Sequence, residues 1–100
     1  MRQGSTPTNT FEVNIDLTGA TVFVNYEQQG KMVIEKTGNA LTISPDKIVL
    51  QLSQKETLSL KPGDVLIQIR YVFPNGAADA SNIIRATVER IIKDGEIEYV

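Results

Sequence analysis

"LSLKPGDVLIQIRYVFPNG", Leu58 to Gly76, decides the fold. Lys61-Pro62-Gly63 is a turn signal, and Pro74-Asn75-Gly76 is another. Between them apolar residues alternate strictly: Val65, Ile67, Ile69, Tyr71 and Phe73 share one parity. A period of two marks a strand with one face buried. Gln68 and Arg70 fall on the opposite face. The stretch therefore reads as a central strand of a packed sheet, with no reactive residue beside it.

The same period runs outward in both directions. Upstream, Phe11, Val13, Ile15 and Leu17 predict a first strand, and Val22, Val24 and Tyr26 a second. After the turn at Gln28-Gln29-Gly30, Lys31 to Lys36 reads as a third strand, with Met32 and Ile34 on one face. Leu41 and Ile43 give a short strand ending at Ser44-Pro45-Asp46. Ile48, Leu50 and Leu52 line the next. Downstream, Ile83 to Ile92 predicts the last long strand. Asp94-Gly95 is a hairpin signal, which would fold Glu96 to Val100 back onto that strand. The one helical signal is Ser53-Gln54-Lys55-Glu56, a capping box limited to about one turn by Pro62. Residues 1–9 read as a polar, extended or mobile segment, and 10–100 as a single domain. Closely spaced strands joined by turn residues predict an all-β sandwich of about 7–8 short antiparallel strands with one short helical turn.

Composition narrows the chemistry. The chain has 100 residues, a net charge of −2, and neither cysteine nor histidine. That removes Ser-His-acid and Cys-His nucleophile arrangements and the usual zinc sites. No glycine-rich phosphate loop occurs. The turn aspartates Asp16, Asp46, Asp64, Asp79 and Asp94 are expected to hydrogen-bond nearby backbone N–H groups. The segment Asn75 to Asn82 lacks the alternating acidic ligands of a calcium loop. The expectation is a non-enzyme without catalytic, cofactor-binding or metal residues. No basic block predicts nucleic acid or an anionic membrane as partner. The start has no apolar signal region and no run approaches a membrane span, so synthesis in the cytoplasm without a signal peptide is expected.

Five apolar residues break the pattern. Phe23, Val33, Val49, Leu66 and Val72 each lie opposite their strand's main apolar face. Cross-strand pairing on a solvated face accounts for such residues, and so does a contact patch for a partner. They form the candidate interface, with Phe23 foremost.

The order of features resembles small immunoglobulin-like proteins of phages and prophages of Gram-positive hosts, including the N-terminal domain of baseplate upper proteins. The residues that carry the likeness are Phe11 to Ala20, the one-turn helix at Ser53 to Leu58, Lys61-Pro62-Gly63 before the strand bearing Gln68 and Arg70, and Ala80-Ser81-Asn82-Ile83-Ile84 after Asn75-Gly76. The opening Met1 to Thr8 is similar too. The resemblance implies an immunoglobulin-like β-sandwich and a structural role in a tail or baseplate. It implies docking to other virion proteins or to copies of itself, possible homo-oligomers included, and no catalytic residue. The alternative is a carbohydrate or cell-wall binding module, which exposed aromatic residues such as Phe23 and Tyr99 would serve.

Overall fold

The computed structural model describes residues 1–100. Its strands are β1 (Thr8–Glu12), β2 (Thr21–Gln28), β3 (Lys31–Thr37), β4 (Leu41–Ser44), β5 (Lys47–Gln51), β6 (Gly63–Val72), β7 (Ala78–Ala80) and β8 (Ile84–Val88). A 3-10 turn, Gly38–Ala40, precedes β4, and a short helix α1, Gln54–Leu58, precedes β6. All strand pairs are antiparallel and form two sheets. The smaller has the order β1-β5-β4; the larger runs β3-β2-β6, with β7 and β8 both on the far edge of β6. An immunoglobulin sandwich puts strands B, E and D on one sheet and C′, C, F and G on the other. The chain follows that order with β1 to β6 as B, C, C′, D, E and F, and with β7 plus β8 as a broken G. It is an immunoglobulin-like β-sandwich.

The alternating residues make the core. Val22, Val24 and Tyr26 on β2 and Val65, Ile67 and Ile69 on β6 face Phe11, Leu41, Ile48 and Leu50 of the other sheet within one buried cluster. These positions occupy the layer where antibody domains keep a disulfide and a tryptophan. Leu17, Leu52, Leu60 and Val88 extend the cluster to both ends. The β2–β3 turn is a two-residue loop, Gln29-Gly30, with both φ angles positive. That backbone matches the twist of a hairpin.

The helix is held as its sequence predicts. The Ser53 hydroxyl accepts from the Glu56 N–H at 3.1 Å, and the Glu56 carboxylate accepts from the Ser53 N–H at 2.9 Å. Lys36 Nζ of β3 reaches the same carboxylate oxygen at 2.7 Å, which ties the connection between the sheets to a strand. Buried Gln28 does similar work at the other end of β2. Its amide donates to the Lys61 carbonyl and accepts from the Lys61 N–H, both at 2.8 Å. That fixes the turn that starts β6.

Five expectations change. The first strand does not run to Leu17. Its partner β5 begins at Lys47, opposite Glu12, so residues 14–17 have no ladder to join. The chain turns instead through Asp16, whose carboxylate accepts the Thr18 N–H, and Ile15 is exposed. Met32 and Ile34 do not share a face. A register shift pairs Tyr26 with Ile34 but Glu27 with Met32, leaving Val33 as an extra residue; Met32 is 61% exposed. Such a bulge breaks simple parity.

The third change is at the start. Residues 1–9 are part of the sandwich rather than a loose lead-in. The Gln3 N–H donates to the Glu89 carbonyl, the Glu89 N–H donates to the Met1 carbonyl, and Thr8 and Asn9 lie in β1. Arg2 and Glu89 form a parallel bridge. The fourth is at the other end. The segment Glu96 to Val100 does not fold back into a ladder: the strand it would join ends at Val88, and Met1 and Gln3 take the Glu89 backbone groups beyond it. Ile97 hydrogen-bonds the Gln54 side chain through its N–H and carbonyl and borders a shallow hollow with Gly4 and Ile91, and Tyr99 is fully exposed. The predicted last strand is also interrupted. The Ser81 hydroxyl, not a backbone carbonyl, accepts the Ile69 N–H at 3.0 Å, and the chain kinks there between β7 and β8.

Candidate functional site

Pairing registers place the five candidates. On β2 and β6 the outward positions alternate with the core positions. Phe23 sits opposite Arg70, Thr21 opposite Val72, and Glu27 opposite Leu66. Phe23, Leu66 and Val72 therefore share the outer face of the larger sheet. Val33 lies at the bulge of edge strand β3. Val49 does not belong with them. It is on β5, between Thr10 and Thr42, on the outer face of the other sheet.

Two shallow hollows mark the outer face of the larger sheet. One, of about 260 Å³, is bordered by Phe23, Asn25, Glu35, Arg70, Val72 and Ala78. The other, of about 230 Å³, is bordered by Asn25, Glu27, Met32, Leu66, Gln68 and Ile83. Asn25 borders both, so the surface is continuous. Met32 and Ile83, each 61% exposed, add to Phe23, Leu66 and Val72 on this face, with Asn25, Gln68 and Arg70 set among them. Sequence parity misses both for local reasons. The bulge moves Met32 outward, and the Ser81 kink resets the face of Ile83. Kinks and bulges leave little trace in an apolar pattern.

Charge on this face is split. Glu27 and Glu35 stand on the β2–β3 half, and Arg70 and Arg85 on the β6–β8 half. The ion pairs of the chain are Arg2–Glu89, Lys36–Glu56 and Arg85–Asp64. Glu27, Glu35 and Arg70 therefore carry no intrachain salt bridge. The Glu35 carboxylate accepts only the Asn25 amide, at 2.9 Å.

A larger open hollow, about 640 Å³, lies where β1 ends beside β7 and β8. Glu12, Asn14, Ile15, Tyr71, Asp79 and Asn82 are among its walls. The turn aspartates largely serve the backbone. Asp16 accepts the Thr18 N–H, Asp79 the Ala80 N–H and Asp94 the Gly95 N–H. The Thr18 hydroxyl and N–H hold the Asp16 carboxyl below its usual range. Asn75 accepts the Ala77 N–H, and Ser81 the Ile69 N–H, so the oxygens of that loop are engaged locally.

Two titrating groups sit between the sheets at the helix. Burial pushes the Tyr26 hydroxyl up, and the charge of Glu56 adds to this, while the Asn9 amide, donating at 2.6 Å, opposes it. Burial raises the Glu56 carboxyl as well. Lys36 and the Ser53 groups outweigh that and hold it below the ordinary range. This cluster joins α1, β1, β2 and β3.

No family model matches the chain, and no curated protein does. Among solved structures, the V domain of amphioxus IgVJ-C2 is similar over 91% of this chain and 97% of that one, with 11% identity and a TM-score of 0.38. No helix is long and apolar enough to cross a membrane.

Proposed function

We propose that the chain is a structural docking module of a phage or prophage particle, of the tail or baseplate kind. It acts by protein–protein contact through the outer face of its larger sheet. The observation that carries the docking part is the gathering of Phe23, Leu66 and Val72 with exposed Met32 and Ile83 on one surface. An exposed apolar surface with polar residues among it is a usual mark of a protein contact. The particle setting rests on the resemblance carried by Phe11 to Ala20, Lys61-Pro62-Gly63 and Ala80 to Ile84. A carbohydrate module is the weaker reading, because the aromatic residues bordering this face, Phe23 and Tyr71, are both half-buried, Tyr71 packs against the core, and they form no exposed platform of rings.

The test is mass spectrometry of purified particles from an induced host carrying the wild type or Phe23→Glu. The expected result is the chain in wild-type particles and its loss with Phe23→Glu. A chain absent from wild-type particles refutes the virion role. Equal incorporation of both proteins refutes the face.

A further inference from the structure

The unpaired charges of this face identify its partner. We infer that a second copy of this chain covers it, the two larger sheets packing face to face about a two-fold axis that runs along the strands. This rests on the docking reading above and names the partner.

A two-fold axis lying between two faces and parallel to their strands exchanges left and right. The β2–β3 half of one protomer then covers the β6–β8 half of the other, and the reverse contact is identical. The first half carries Glu27 and Glu35. The second carries Arg70 and Arg85, offset by Asp64 at 3.5 Å from Arg85. The acidic half thus meets a half of net positive charge, and the unpaired Glu27, Glu35 and Arg70 are brought toward the ion partners they lack within the chain. The apolar residues suit the same axis. Phe23 on β2 and Leu66 and Val72 on β6 stand on the two central strands, so they lie closest to the axis, with Phe23 at the level of Arg70 and Leu66 at that of Glu27. Met32 on β3 and Ile83 in the link between β7 and β8 lie at opposite edges of the face, so the axis brings each toward the opposite edge of the second copy. An axis running across the strands would instead set each half against itself, acid on acid and base on base. Like charges placed together disfavour that arrangement.

The experiment is light scattering coupled to size exclusion, on wild type and on two charge-reversed variants. One is Glu27→Arg/Glu35→Arg, the other Arg70→Glu/Arg85→Glu. All four positions are exposed, and circular dichroism and melting curves check that each variant is folded. The expected results are a wild-type dimer, at least about tenfold weaker dimerisation of each variant alone, and recovery when the two are mixed in equal amounts. Recovery on mixing is the signature of an interface in which the two halves face each other. If a reversed pair fails to fold, the neutral pair Glu35→Gln and Arg70→Gln replaces it. Each is then expected to weaken the dimer and to reduce its salt dependence. A wild type that stays monomeric at about millimolar concentration, where even weak specific dimers form, overturns the inference. The docking reading is then still decided by the particle experiment. A dimer indifferent to the reversals and to Phe23→Glu overturns the inference as well, and the particle experiment again decides the docking reading.

Discussion

Removing the Ser53 hydroxyl isolates one link in the connection between the sheets. In Ser53→Ala the Glu56 N–H loses its acceptor at 3.1 Å, while the Glu56 carboxylate still accepts from the Ser53 N–H and from Lys36. Loss of an N-cap side chain costs about 1 kcal/mol. For a domain of this size that is a fall of roughly 4–8 °C in Tm. Glu56→Ala removes more. The reciprocal capping bond goes, and Lys36, with a side chain only 15% exposed, loses its partner at 2.7 Å. An exposed pair is worth about 1 kcal/mol or less, and a fully buried one several times that when a single partner is removed. The intermediate burial here sets the expected total at roughly 2 kcal/mol. The effects must also couple, because both substitutions break the same box; the double variant should lose less than the sum. The pH dependence has a definite sign. Glu56 is held below its ordinary range in the fold, so its contribution is full above the unfolded value, about pH 4.3. It is lost as pH falls through the lowered folded value. Urea unfolding of wild type, both single variants and the double variant at neutral and acid pH measures all of this. Coincident midpoints for wild type and Ser53→Ala would show that the cap does not stabilise the domain.

Other expectations concern the chain ends and the buried tyrosine. Because the Tyr26 hydroxyl is raised, its stabilising effect is full below about pH 10, the ordinary tyrosine value, and is lost as pH rises through the folded value. Alkaline unfolding curves of wild type and Tyr26→Phe should therefore converge with rising pH, and parallel curves would contradict the burial of that hydroxyl. Deleting residues 1–3 removes the Met1 and Gln3 bonds to Glu89 and the Gln3 amide bond to Leu60, and should cost about 2 kcal/mol at roughly 1 kcal/mol or less per bond. A truncated protein as stable as wild type would show that the start is not part of the sandwich. Deleting residues 96–100 should change stability by no more than about 0.5 kcal/mol, since their hydrogen bonds to the domain are two exposed ones to Gln54 and their apolar side chains are mostly in solvent. A drop of several degrees in Tm would restore the hairpin predicted at Asp94-Gly95.

Much of the fold is legible where burial acts on one strand at a time. Val65, Ile67 and Ile69 are buried in strict alternation, and so are Val22, Val24 and Tyr26. The capping box is equally plain, because it is a contact between residues three apart. The features that the pattern does not show depend on partners distant in sequence. Residues 14–17 alternate as a strand does, yet they lie beyond the end of β5 and have nothing to pair with. The C-terminal segment has the right turn and the right alternation, but Met1 and Gln3 reach Glu89 from the other end of the chain. Competition of this kind is invisible to a local pattern.

The candidate interface follows the same division. Parity says which side of its own strand a residue faces, and there it is sound for Phe23, Leu66, Val72 and Val49. It says nothing of which sheet the strand joins. Strand order separates Val49 from the other three, because β5 belongs to the sheet on the opposite side of the core. The same order brings Arg70 beside Phe23, a pairing between residues 47 positions apart in the chain. Nor does parity survive an extra residue in a strand. The bulge at Val33 turns Met32 outward, and the Ser81 kink does the same for Ile83, so both apolar side chains join the face without any signal in the sequence. These two irregularities lie on the outer strands, while Phe23, Leu66 and Val72 lie on the central pair. The central strands thus provide the middle of the apolar surface, and the departures from regular pairing widen it toward both edges. A Met32→Gln/Ile83→Gln variant separates these contributions: on the proposed docking reading it should lower incorporation into particles while leaving the core and the melting temperature unchanged. Unchanged incorporation would remove both edges from the proposed contact.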